Sequence, residues 1–279
     1  MKQEKTPKTR TEPKRGRMRT VLLWAAVVLI VSGVLLGICL LKFPGVLGPG
    51  FGYPDPQPTV SASAIPPYSG QDCIVLDGGR PSFTGEDLRA GTHVSFSAFD
   101  SLGRTGAGEA ILGPETLPTG ERSRIGDIRP SGWHNVRYDD LIEDHYLYNR
   151  CHVIGYLLCG DNATPENLFT GTRYLNATTM VEYELRVMRY IRSYGKHVAY
   201  RVTPTYAGDD LVAFGVQIEA MSVEDSGKGL SLNVFLYNVQ PGVLIDYRTG
   251  DSRRDPDYVP DHSAVLIPDG TDAGGGYNP

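Results

Sequence analysis

Between residues 148 and 184 the chain gathers side chains suited to phosphodiester chemistry. Tyr148-Asn149-Arg150-Cys151-His152 is followed by Asn167-Leu168-Phe169-Thr170-Gly171-Thr172-Arg173-Tyr174-Leu175-Asn176 and then by Glu184. Hydrolysing a phosphodiester needs a base to activate water, positive charge to offset the phosphorane-like transition state, and a proton for the leaving oxygen. A neutral histidine suits the first task near neutral pH. Of the six histidines, His152 has the densest polar surroundings, whereas His93, His134, His145, His197 and His262 lack such neighbours, and only His134, beside Trp133, has a context that could lie near a site. Arg150 and Arg173 supply cations, and Arg186, Arg189 and Arg192 follow. Magnesium takes oxygen ligands and keeps several waters, so one or two protein oxygens, an asparagine amide included, can suffice. Each residue also has a plainer use: Asn176 as a helix N-cap, Glu184 on a solvated face, His152 as a structural histidine.

The elements that must position these groups can be read around them. From Asn176 to Tyr194 the apolar positions Met180, Tyr183, Val187, Tyr190 and Ile191 recur with helical spacing. On a regular helix Asn176 and Glu184 differ by roughly 80° about the axis and about 12 Å along it. One metal can use both only if Glu184 acts through a bound water, with Asn176 in direct contact. Strand-like runs occupy Cys73 to Leu76, His93 to Phe99, Val198 to Thr203, Leu211 to Ala220 and Ser231 to Val239, with residues 100 to 135 irregular around strands. Strands, one prominent helix, then strands predict an α+β fold with a central antiparallel β-sheet. No glycine-rich phosphate loop stands between a strand and a helix; Gly103 to Gly108 lacks that context.

The N-terminal part has a different task. Residues 20–42 contain Thr20 to Leu41, a charge-free run long enough as a helix to cross a bilayer, about 33 Å at 1.5 Å per residue. Residues 1–19 hold eight Lys/Arg against two Asp/Glu, so the remainder carries −11 within a total of −5. That asymmetry predicts a single-pass cell-membrane signal-anchor with a cytoplasmic basic segment and an extracellular remainder; a cleaved signal peptide is the competing reading. Residues 43–64 read as a Pro/Gly-rich linker, 65–252 as the folded domain, and 253–279 as a flexible tail.

Outside the span, Cys73, Cys151 and Cys159 are an odd set. A Cys151 to Cys159 bridge and three free thiols both fit the sequence, and a zinc site on Cys151, His152 and Cys159 would lack a fourth ligand. Two Asn-x-Thr sequons, at Asn162 and Asn176, read as coincidence, while a glycan on Asn176 would exclude a metal there.

Asn149-Arg150-Cys151-His152, with Asn167, Asn176 and Glu184, resembles the DNA/RNA non-specific endonucleases of the ββα-metal (His-Me finger) superfamily, whose motif reads Asp-Arg-Gly-His, and within them the membrane-anchored bacterial branch. Pro130-Ser131-Gly132-Trp133, Asn238-Val239-Gln240-Pro241-Gly242 and Asp246-Tyr247-Arg248-Thr249-Gly250 extend the likeness. The resemblance implies a ββα-metal finger, Mg2+ as cofactor with Mn2+ as a substitute, and DNA or RNA backbone as partner. It implies His152 as general base, Asn176 as metal ligand, Glu184 holding metal-bound water, Arg150 as a phosphate or structural clamp and Asn167 as an orienting residue. Arg173, Arg186 and Arg189 are the expected substrate-binding cations, together with Arg192 and Lys196, offsetting an acidic exterior. Asn149 in place of aspartate and Cys151 in place of glycine depart from the motif, the second adding bulk beside the base. They keep open a domain that binds DNA without cutting it, and the acidic exterior keeps open a cell-surface module with no nucleic-acid role.

Overall fold

The computed structural model describes residues 61–259. Its strands are β1 (Cys73–Val75), β2 (His93–Phe96), β3 (Gly108–Leu112), β4 (Tyr148–His152), β5 (Leu168–Thr172), β6 (Val198–Thr205), β7 (Gly215–Ser222), β8 (Ser231–Tyr237), β9 (Val243–Ile245) and β10 (Ser252–Arg254). A four-residue α1 (Tyr156–Cys159) and a long α2 (Val181–Tyr194) complete the regular structure, with a π-helical turn over Leu175–Met180 leading into α2. Six strands form one sheet in the order β1-β8-β7-β6-β3-β2, and each neighbouring pair is antiparallel. The expected α+β class and central antiparallel sheet are therefore present.

Alternation and burial explain the layers. β7 is buried along its whole length, as a strand covered on both faces must be. On one face α2 turns Glu184, Val187, Tyr190 and Ile191 inward, and Val187 and Ile191 join a core with Val198, Tyr200, Val202, Val216 and Ile218. Gly195 ends the helix in the left-handed region at φ 61°, its N–H closing on the Ile191 carbonyl at 2.8 Å, a role glycine fills without strain. On the other face Phe83 and Leu88 cover Ile111, Ala199 and Met221. There Arg201 bridges Glu109 at 2.7 Å and the buried Glu219 at 3.1 Å.

β4 and β5 pair antiparallel apart from the main sheet, with His152 opposite Leu168, and the chain passes from β5 into the π turn and α2. That is the ββα unit the motif implied. Asn238 fastens it to the sheet. Its fully buried amide accepts from Thr172 N–H at 2.8 Å and donates to the Thr170 and Ala213 carbonyls at 3.1 and 2.8 Å. Thr172 Oγ1 donates to the Val239 carbonyl at 2.7 Å and accepts the Leu175 N–H at 2.9 Å, while Gln240 Oε1 accepts the Tyr174 N–H at 3.1 Å. The Asn238-Val239-Gln240 piece is thus a mount for the finger. Asn238→Ala is expected to cost about 3 kcal/mol, about 1 kcal/mol per lost bond, and to lower the thermal midpoint by roughly 6–12 °C for a domain of this size. A melt within about 2 °C of wild type would contradict that role.

Several boundaries differ from the sequence reading. β3 lies inside the stretch read as irregular; its run Gly-Glu-Ala-Ile-Leu has no period of two because four of its five residues are buried. Residues 211–214 precede β7 and are not strand, since Leu211 and Val212 turn away to bond the Arg248 and Tyr247 carbonyls. Helical winding begins at Arg173, three residues before Asn176. β10 reaches Arg254, which joins Asp140 in an ion pair beyond the expected domain edge at 252. Residues 1–19, the span 20–42, most of the linker 43–64 and the tail from 260 lie outside the described residues. Among the described residues no helix is long and apolar enough to cross a membrane.

Candidate active site

β4 carries the centre of the site. Neighbouring residues of a strand point to opposite faces, so Arg150 and His152 line an open cleft of about 800 Å3 while Cys151 between them is fully buried. The Cys151 thiol lies 3.5 Å from Met180 Sδ. The expected bulk beside the base is therefore absent, because the extra side chain is directed into the core, where Gly171 leaves room for it. Cys73, Cys151 and Cys159 are free thiols. The Cys151 to Cys159 bridge is not formed, and no group of three or more His, Cys, Asp and Glu among the described residues is arranged to hold a metal, which removes the zinc reading.

His152 Nε2 lies 3.1 Å from the Asn162 carbonyl. A carbonyl only accepts, so Nε2 carries the proton and Nδ1 of the neutral ring keeps a lone pair. Burial lowers the His152 pKa, an effect the Asn162 bond opposes and the Arg122 charge reinforces. The loop supplying that carbonyl is itself fixed. Asp161 accepts from Thr164 N–H and Oγ1 at 3.2 and 2.6 Å, and the Asn162 amide donates to the Ser123 carbonyl and hydroxyl. Asn162 is buried and bonded in this way, which makes it a poor glycan acceptor.

Asn167 is fully buried. Its Oδ1 accepts the Ile154 N–H at 2.9 Å and its Nδ2 donates to the Ile154 carbonyl at 3.2 Å. It fixes the chain just after His152 and does not reach the cleft. Arg150 is similarly committed: Nε and Nη2 each donate at 2.6 Å, to the Ile128 and Gly126 carbonyls, and the guanidinium stacks 4.4 Å from the Trp133 ring. These bonds hold the 120–128 loop against β4.

Asn176 and Glu184 both line the cleft. Asn176 is no N-cap; it lies inside the π turn, and its amide has no protein partner among the described residues. A π turn bonds i to i+5 and so advances less per residue about the axis than an α-helix. This brings Asn176 closer to the Glu184 side than the roughly 80° of a regular helix. Glu184 is buried, not solvated. Burial pushes its pKa up to about 7, with the Arg122 charge and the Gly155 N–H opposing. A Cβ on Gly155 would collide with this carboxylate, so the glycine before α1 is needed for close approach.

Arg173 lines the cleft in an ion pair with Asp144 at 2.7 Å. Arg186 and Arg189 do not line it; both are exposed, and lie roughly 200° and 140° around α2 from Glu184. His134 is exposed and paired with Asp251 at 2.9 Å, away from the cleft. Sequence reasoning missed Arg122, which stacks 4.8 Å from the Tyr156 ring and whose charge reaches both His152 and Glu184. The available signal was the Glu121-Arg122-Ser123-Arg124 run, a charged interruption in a Gly, Pro and Ser-rich stretch.

Residues 86–224 match the model of the DNA/RNA non-specific endonuclease family. Among solved structures the fold is similar to NucA from Streptococcus agalactiae with magnesium bound, at 27% identity and a TM-score of 0.58, covering 65% of this chain and 86% of that one. For the same protein with no metal bound the values are 26%, 0.59, 70% and 92%. The fold is also shared with the Sda1 nuclease with bound zinc, at 24% identity and a TM-score of 0.51 over 58% of this chain and 82% of that one. Residues 86–224 are thus similar to the DNA/RNA non-specific endonuclease family, and the chain is a nucleic-acid hydrolase.

Proposed function

We propose that the protein is a magnesium-dependent nuclease that cuts DNA or RNA without reading base sequence, with His152 as general base. The observation that carries this is the pairing of His152 Nε2 with the Asn162 carbonyl, which leaves Nδ1 unprotonated in the cleft that Asn176 and Glu184 also line. Nδ1 takes a proton from the attacking water as its oxygen approaches phosphorus. Arg122 lines the same cleft and offsets charge on the non-bridging oxygens; Arg173 lines it too and joins in by exchanging its Asp144 partner for phosphate. Arg150 acts one step back, keeping the Arg122 loop in place through Gly126 and Ile128.

The donor set suits a hard cation. An unpartnered amide oxygen at Asn176 and a buried carboxylate at Glu184 are oxygen donors with room for waters, as magnesium prefers, and the sulfur of Cys151 is turned away. Asn176 would hold the ion directly and Glu184 through water; Mn2+ would substitute. NucA, described above with magnesium bound, supports the choice. When bound, the ion supplies positive charge at the leaving oxygen and an acidic water. The alternative of a domain that binds DNA without cutting it is left with Asn149 as its motive, since Cys151 does not touch the cleft. An extracellular position behind an anchor at 20–42 remains the reading of the N-terminal sequence.

A pH profile tests the base. At saturating magnesium, whose charge keeps the neighbouring Glu184 ionised, cleavage needs neutral His152, and burial lowers its pKa, so the acid limb of kcat/KM is expected below the ordinary histidine value of about 6.5. A limb centred above that value would contradict the assignment.

A further inference from the structure

We infer that the outer face of α2 is a second nucleic-acid contact, at which Arg186, Arg189 and Arg192 take the phosphates of a strand running on from the cleft. The polyanion is the substrate of the proposed nuclease, so its identity rests on that reading. Val181 lines the cleft at the start of α2. Arg192, eleven residues on, lies roughly 20° from it about the axis and about 16 Å further along. Leu185 and Met188, both half-buried, lie on either side of the line between them, and the acids of α2, Glu182 and Glu184, are confined to its first turn. Arg189 and Arg186 widen the cationic face away from the cleft. All three arginines are exposed. Arg189 gives its Nε–H to the Leu185 carbonyl at 3.1 Å, and none of the three joins an ion pair among the described residues. Arg104, Arg137, Arg173, Arg201 and Arg254, by contrast, are each matched to a carboxylate. Even Glu182, four residues before Arg186 and at a spacing that favours pairing, is not engaged. A phosphodiester chain fits this face better than an anionic membrane. Membrane helices of this kind add an apolar face to the cationic one, and here the apolar face is committed to the core, leaving Tyr194 as the exposed large apolar residue of α2.

A strand of B-form DNA advances 3.4 Å per nucleotide, so about five nucleotides span the distance from the cleft to Arg192. The contact should therefore matter for long substrates and be silent for very short ones. The test uses the full-length chain and its triple variant Arg186→Gln, Arg189→Gln, Arg192→Gln. Binding of a labelled single-stranded oligonucleotide of about twenty nucleotides is followed by anisotropy in EDTA across a salt series, alongside hydrolysis of bis(4-nitrophenyl) phosphate in magnesium. Three lost single-strand contacts at about 0.7 each should lower the slope of log affinity against log salt by about 2, weaken binding at least about tenfold, and leave bis(4-nitrophenyl) phosphate turnover unchanged. An unchanged slope and affinity, or an equal loss on the small substrate, overturns the proposal. So does a loss of binding confined to phosphatidylserine vesicles. If the triple variant shows the expected loss of slope but the wild type hydrolyses neither the oligonucleotide nor bis(4-nitrophenyl) phosphate once magnesium is added, the nuclease reading fails and the second contact stands.

Discussion

Replacing His152 by alanine is expected to lower plasmid hydrolysis by roughly 10²- to 10⁴-fold, the range that a positioned general base contributes. The fold should survive. His152 makes one hydrogen bond, from Nε2 to the Asn162 carbonyl, worth about 1 kcal/mol or roughly 2–4 °C in a domain of this size. Circular dichroism and a melting curve on the same preparation separate a lost base from a lost structure. Asn162 sharpens the point, because it contributes to the base through its backbone carbonyl while its side chain grips Ser123. Nuclease activity within a few-fold of wild type in the alanine variant would sink the role given to His152.

Asn176→Ala should be nearly as damaging through a different route. Its amide has no protein partner to lose, so stability should hardly change. Loss of an outer partner alone costs a metal site about 10–100-fold in affinity, and loss of a direct ligand should cost at least that. The expected result is a shift of the half-activating magnesium concentration by about two orders of magnitude or more, with Asn176→Asp, which retains an oxygen, recovering much of it. A wild-type magnesium response in the alanine variant would show that the amide holds no metal.

Much of this architecture was legible in the residues. The helical spacing of Met180, Val187 and Ile191 marked the inner face of α2, and the alternation at Leu232, Val234 and Leu236 marked β8. His152, Arg150, Asn176 and Glu184 were found as a set because their types are rare together, and the structure brings all four to one cleft. What was not legible depended on local winding and distant partners. The regular-helix geometry misplaced Asn176 relative to Glu184, because propensity carries no sign of a π turn. Cys151 looked like an obstruction until strand alternation and the space at Gly171 turned it into core. Arg122 sits 30 residues before His152, brought to the cleft as Arg150, Tyr156 and Asn162 hold its loop. Arg186 and Arg189 carry the expected charge but lie on the outer face of α2 and not in the cleft, a placement that a basic run alone cannot express.

Hydrolysis of nucleic acid is assigned to a cleft that combines a neutral histidine with oxygen donors for a hard cation. It is tested most directly by incubating the purified protein with plasmid DNA in EDTA and then adding excess magnesium. Plasmid is expected to stay intact in EDTA and to be rapidly nicked and fragmented after addition, with no cleavage by His152→Ala under either condition. Cleavage that continues undiminished in EDTA, or DNA that stays bound and uncut in magnesium and manganese alike, would contradict it.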